Sequence, residues 1–301
     1  MRTLLIAAIL LLSADAFAGL AQRGVRLWNL SEPIEVCFLH MDDLLKPKNT
    51  IPELHASDVK KMKGVVDRVA EGWIREIIQQ EYVQGMAIPF SGWKDCAELG
   101  RLPPVVVLVL SGTRMKTSSE SVSIGKRLKL GNVILINSHS NNVKDPESKK
   151  IITQFNAIHE FGHLLGLRHE HERAEAKKDI NCVFMNKMGA YGKVHFNKTT
   201  PTDTVTIGEY DSNSVMNYCF AQAVIFWGPT LTVDKAFKKT IAVDDVTGRF
   251  TLNIEPIRMI DWDLVSKTEK ENGTFELRYK AKLSQGDRCA LAELYHLPEP
   301  N

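Results

Sequence analysis

The sequence predicts an α+β fold, with a mixed twisted sheet and two long helices in an upper lobe and an irregular lower lobe. Three observations carry this expectation. The first half of the chain alternates strand, helix, strand, strand and helix patterns. The periodicity loosens after His169. An amphipathic pattern returns only near the end, over 285–295. The upper lobe covers about residues 26–166 and the lower lobe 167–301, with an extra segment at 221–283. A cleft between the lobes is the expected place for a site.

The chain opens MRTLLIAAILLLSADAFA. Arg2 gives a positive start, Leu4 to Leu12 an apolar run, and Ala16-Phe17-Ala18 a small-x-small processing site. Residues 1–18 therefore read as a signal peptide. The mature chain, 19–301, reads as a single domain that is secreted or periplasmic. A buried N-terminal helix is the alternative reading. The apolar run is too short to span a bilayer, and no later stretch is long and apolar enough. About 280 residues remain, enough for one large domain with a sizeable core. The net charge of +2 argues against a general nucleic-acid or membrane-surface binder.

Residues 19–30 are short and mixed. PIEVCFLH, 33–40, reads as a strand. Ser57 to about Gln80 predicts a helix: Ser57 caps it, Asp58 suits its positive end, and Val59, Met62, Val66, Val69, Trp73 and Ile77 recur on one face. Residues 88–96 read as a turn. VVVLVL, 105–110, is a continuous apolar run, expected as a buried central strand. A polar loop over 111–130 leads to another strand, GNVILIN, 131–137. If that strand is the sheet edge, an extended substrate would pair with it. Ile151, Ile152, Phe155 and Ile158 then mark a second helix. Beyond it, 210–220 is turn-like, FTLNIEPI (250–257) and TFELRYKAKL (274–283) are strand candidates, and Gln285 to Tyr295 is a closing helix.

The mature chain holds all five cysteines. Export permits disulfides, and an odd count leaves at least one thiol over. Spacing leaves the connectivity open; the expected pairing is Cys37–Cys96 within the first lobe and Cys182–Cys219 within the second, leaving Cys289. The alternative is that some are buried apolar thiols.

The chemistry concentrates in HEFGHLLGLRH, 159–169. His159 and His163 are four apart, so a helix projects both from one face. Two neutral imidazoles so placed can grip one zinc ion, and Glu160 lies beside the first, within reach of a bound water. Gly166 tolerates a left-handed backbone, so it can end the helix and deliver His169 as a third ligand. Three protein ligands leave one position open, as in catalytic zinc sites. With 19 Gly and 9 His in 301 residues, requiring Gly166 and His169 as well lowers the chance rate roughly 500-fold. His40, His55, His139, His195 and His296 read as surface or satisfied core residues.

His159, Glu160, His163, Gly166 and His169 match H-E-x-x-H-x-x-G-x-x-H, and the chain resembles the metzincin zinc peptidases. SVMNY, Ser214 to Tyr218, resembles the S-x-M-x-Y Met-turn of the astacins. Glu170 and Arg173, RLWN at 26–29 and LSQGDRCALAELY at 283–295 are also astacin-like. The resemblance implies a metzincin-type catalytic domain with Zn²⁺ in the cleft between the lobes. It implies Met216 as an apolar floor beneath the histidines, Tyr218 as a phenol that stabilises the oxyanion, and Glu170 as a buried acid that anchors the mature N-terminus. The chain departs from the pattern at Arg173-Ala174-Glu175, and there is no room for a propeptide between Ala18 and Arg26. His171 reads equally well as a surface charge.

The function this predicts is a secreted zinc endopeptidase acting on protein or peptide, with Glu160 as general base. The competing readings are a zinc amidase acting on cell-wall peptides and a non-catalytic adhesion or interaction protein stabilised by zinc.

Overall fold

The computed structural model describes residues 18–24, 26–40, 67–99, 103–110, 120–121, 132–138, 145–179, 204–217, 230–234, 239–243, 250–254, 265–269 and 274–298. The chain begins there with β1 (Ala18–Gln22), where the sequence shows only a short mixed stretch. A five-stranded mixed sheet follows: β2 (Ile34–Phe38), β3 (Phe90–Asp95), β4 (Val105–Leu110), β5 (Glu120–Ser121) and β6 (Asn132–Asn137). Their spatial order is β3-β2-β4-β6-β5. All neighbours are parallel except β5, which runs antiparallel to β6 at Ile134 and Leu135.

The apolar run of β4 makes it central because a strand covered on both faces needs no polar side. Val105, Val107 and Val109 face the main core; Val106 and Leu108 face a smaller cluster with Cys37, Leu39, Cys96, Val133 and Leu135. Two helices cover the main face. α1 (Arg68–Ile78) packs against α2 (Pro146–Leu164), which lies along β6. Asp145 caps α2 by accepting the Ser148 N–H, and Pro146 occupies the first turn, where its missing N–H costs nothing.

Four expectations change here. The described part of the first helix starts at Arg68, capped by Asp67, not at Ser57. Residues 51–66, with Ser57, Asp58, Val59, Met62 and Val66, lie outside the described residues. Val69, expected in the core, is 60% exposed, because the buried stripe runs through Ala70, Ile74, Ile77 and Ile78 instead. The helix then widens into a π-helical turn at Gln79–Gln84. Residues 90–95, read as a turn, form β3. Its glycine and alternating exposure hide it: it is an edge strand with a bulge at Trp93, whose φ is +60°. Finally, GNVILIN is not the sheet edge, since β5 lies outside it.

In the second half, β7 (Thr204–Gly208) pairs antiparallel with β1. β8 (Thr230–Asp234), β11 (Val265–Glu269) and β12 (Thr274–Tyr279) form one antiparallel sheet, and β9 (Lys239–Val243) pairs with β10 (Phe250–Ile254). The two strand candidates thus appear at 250–254 and 274–279. The closing helix α3 spans Gln285–Tyr295, as expected, with Ser284 and Asp287 in a capping box. It packs on β1. One core joins Ala21 and Trp28 to the sheet, to both upper helices, to Val215 and Met216, and to Leu283 and Ala290–Ala292. Among the described residues, no helix is long and apolar enough to cross a membrane.

Cys37 and Cys96 are disulfide-bonded, as expected, and Cys289 is buried on α3, where Gln285 Nε2 donates to its sulfur. Cys182 and Cys219 lie outside the described residues.

Candidate metal centre

α2 ends at Leu164, and Gly166, at φ +105°, turns the chain back. Only glycine enters that region without strain. The Gly166 N–H is held by His163 O and the Leu167 N–H by Gly162 O. The returning chain is fixed on its far side, where Arg168 N–H donates to Leu20 O at 2.7 Å. His169 is thereby carried back to face the helix.

The three rings converge. His169 Nε2 lies 3.0 Å from His163 Nε2 and 3.3 Å from His159 Nε2. Zn–N bonds of about 2.0–2.1 Å at tetrahedral angles place ligand nitrogens about 3.3 Å apart, so this spacing fits one zinc ion. The other ring nitrogens are occupied. His159 Nδ1 donates to Val215 O and His163 Nδ1 to Leu167 O, each at 2.8 Å. Those bonds select the tautomer that leaves an Nε2 lone pair for a metal. Glu172 Oε1 stands 3.6 Å from His169 Nδ1. Burial holds all three imidazoles in the neutral form, His163 down to about 4 and the other two well below their usual value. Neutral and convergent, with His159 and His163 buried and His169 half-buried, they could hold one metal ion. Glu160, on α2 beside the first ligand, is 2% exposed.

Met216 sits where the resemblance implies. A Cβ added at Gly162 would come within 2.6 Å of its Sδ, so the thioether lies against the helix between the two histidine turns. Tyr82 Oη, from the π-helical turn, donates to Ile158 O at 2.7 Å just ahead of His159. Trp28 of RLWN donates its indole N–H to Leu164 O at the end of α2. Tyr218 lies outside the described residues.

The surroundings of Glu170 and His171 are set by the turn that follows the third histidine. Glu170 is buried, but the cation beside it is the Arg173 guanidinium at 3.1 Å, and it also accepts the Asp211 N–H. Burial pushes the Glu170 carboxyl up to about 8 against the pull of Arg173. His171 is not a surface charge: it is 3% exposed and stacks on His169. Neither partner is legible in the sequence, because both depend on how the turn folds.

His40, Glu71 and Asp95 also come close enough to share an ion. Arg68 already supplies their cation, with two bonds to Asp95 at 2.6 and 2.7 Å and one to Glu71 at 3.0 Å. His40 Nε2 is 2.8 Å from Asp95. This is an ion-pair network, so His40 is a satisfied residue, as expected. His296 is left-handed at the end of α3, and His55, His139 and His195 lie outside the described residues.

A helix, a glycine turn and a returning chain thus bring three histidines together over a buried methionine, as a candidate metal centre. Residues 149–248 match the model of the Astacin peptidase family. Over 114 residues the chain is 32% identical to Zinc metalloproteinase nas-5 of Caenorhabditis elegans, covering 36% of this chain and 29% of that protein. Over 67 residues it is 36% identical to Astacin-like metalloprotease toxin 4 of Loxosceles laeta, covering 22% of this chain and 58% of that protein. The chain thus spans less than two thirds of either relative. Among solved structures, myroilysin aligns with a TM-score of 0.45 at 15% identity, over 92% of this chain and 98% of that one. The hatching enzyme High choriolytic enzyme 1 of Oryzias latipes aligns with a TM-score of 0.39 at 14% identity, over 90% and 94%. The matched segment, residues 149–248, is similar to the astacins and contains both the histidine motif and the Met-turn sequence.

Proposed function

We propose that the chain is a secreted or periplasmic zinc endopeptidase that hydrolyses protein or peptide substrates. One observation carries the reading: three neutral imidazoles, two buried and one half-buried, bring their Nε2 atoms together, and the helix bearing two of them also carries a buried carboxylate. Zinc held there would supply Lewis acidity, polarising a carbonyl and making water a stronger acid. Glu160 takes the proton from the attacking water at its carboxylate and returns it to the departing amine. Tyr218 follows Asn217 at the end of the Met-turn and donates its phenol to the developing oxyanion; the S-x-M-x-Y pattern supports this role. The Val215 and Leu167 carbonyls hold the first two rings in register throughout.

Residues 19–301 act as one catalytic unit, in keeping with a core that runs from Ala21 to Ala292. Removal of residues 1–18 is supported by their pattern, and export by the Cys37–Cys96 disulfide. The test is digestion of casein by the parent, by the parent with a chelator, and by Glu160→Gln. The chelator should abolish cleavage, and Glu160→Gln should retain zinc while losing nearly all turnover. Parent-like cleavage by Glu160→Gln would refute the general-base role. Tyr218→Phe should lower kcat with little change in KM.

A further inference from the structure

We infer that Asp287, on the closing helix, is a positioning residue for the metal centre, acting on His159 through the Met-turn. This rests on the zinc-triad reading above. Asp287 is 2% exposed and lies more than a hundred residues beyond the histidines in sequence. Its Oδ2 accepts the Val215 N–H at 2.9 Å, and its Oδ1 accepts the Ser214 hydroxyl at 2.5 Å. Val215 is the residue whose carbonyl receives His159 Nδ1–H at 2.8 Å. The carboxylate therefore holds the N–H of a residue while the carbonyl of the same residue holds a metal ligand.

The surrounding bonds leave the turn little freedom. Ser214 Oγ also accepts the Met216 N–H at 2.9 Å, and Met216 O accepts the Glu170 N–H at 3.0 Å. Asp287 takes the Ser284 N–H at its own helix start, and Ser284 Oγ donates to Asp211 at 2.5 Å. So one carboxylate ties the start of α3 to both residues that precede the methionine. Ser214, Val215 and Met216 are all buried, so no bulk water competes for these bonds. A backbone carbonyl that orients a ligand's second nitrogen sets both tautomer and ring angle, and such partners are worth about 10–100-fold in metal affinity or activity. Asp287 controls that carbonyl at one remove.

A helix cap alone would explain the Ser284 bonds but not the two bonds to the turn. The variants are chosen to separate these roles. Asp287→Ala removes both. Asp287→Asn keeps an oxygen for the Val215 N–H and turns an amide toward Ser214 Oγ, which can accept it. Ser284→Ala removes the cap hydroxyl and leaves Asp287 opposite Val215. Zinc affinity is measured by chelator competition, and the visible spectrum of the cobalt-substituted protein reports ligand geometry. Asp287→Ala should bind zinc about tenfold or more weakly, with an altered cobalt spectrum. Asp287→Asn should stay within about threefold of the parent, with the parent's spectrum. Ser284→Ala should melt at a lower temperature and keep the parent's zinc affinity.

Parent-like affinity and spectrum in Asp287→Ala would overturn the inference, as would an equal loss of zinc in Ser284→Ala. If Asp287→Ala does not fold, Ser214→Ala, which leaves α3 and its cap whole, decides: weaker zinc binding supports the inference and unchanged binding overturns it. A parent that takes up no zinc is a different failure, since it removes the triad reading and this inference with it.

Discussion

At the scale of single residues, the site depends on absences as much as on ligands. Gly162 lies between the two helical histidines, and any side chain there meets Met216 Sδ. Ala is a better helix former than Gly by about 1 kcal/mol, so an open position would gain from the exchange. Here Gly162→Ala should instead destabilise by about 1–3 kcal/mol through overpacking, read from the urea midpoint. A gain in stability would show that the methionine moves aside freely. Tyr82→Phe tests the opposite case, a buried group that is present and bonded. It removes one hydrogen bond to Ile158 O and should cost about 1 kcal/mol. The motif residues themselves are legible in the sequence because a four-residue spacing and a glycine dictate geometry locally. Glu170 and His171 are not, since Arg173 and the stacking on His169 come from the way a 3₁₀ turn at Glu170–Glu172 closes.

At the scale of elements, α2, β4 and α3 can be read from the sequence because each carries a strong local signal: helical apolar spacing, an unbroken apolar run, and an amphipathic end segment. The cap that starts α2 is equally local, so Asp145→Ala should cost about 1 kcal/mol in thermal or urea unfolding. β3 and the start of α1 cannot be read in this way. An edge strand with Gly92 at φ +90° and a bulge looks like a turn, and its place is set by long-range partners. Chief among these is the Arg68–Asp95 pair, which joins the first turn of α1 to the end of β3. The Arg68 guanidinium holds the Asp95 carboxyl well below the usual carboxylate range. In the fold Asp95 therefore stays charged at pH values where an unfolded chain takes up the proton, near 3.8. Its contribution is complete above about pH 4 and is lost as pH falls below that. The stability gap between the parent and Asp95→Asn should accordingly shrink with acidification below about pH 4. It should also be smaller in high salt, because Arg68 is largely exposed. A gap that is independent of pH would mean that Asp95 acts through packing.

At the scale of the whole molecule, three long-range ties hold the elements around the site. Cys37–Cys96 bridges 59 residues and locks β2 to the end of β3 around α1. By the chain-entropy estimate its reduction should cost about 4 kcal/mol, seen as a lower urea midpoint in reductant. β1 joins β7 and the returning chain before His169, and α3 joins the Met-turn through Asp287. Such ties link residues far apart in the chain, so the sequence shows the parts and not their joining. All of them serve one arrangement, the shared focus of His159, His163 and His169. X-ray absorption at the zinc edge of the purified protein tests that focus most directly. The account predicts one zinc per chain with imidazole nitrogens at about 2.0 Å and no sulfur neighbour, and a loss of zinc in His163→Ala. Sulfur scattering, or a zinc environment unchanged by that substitution, would contradict it.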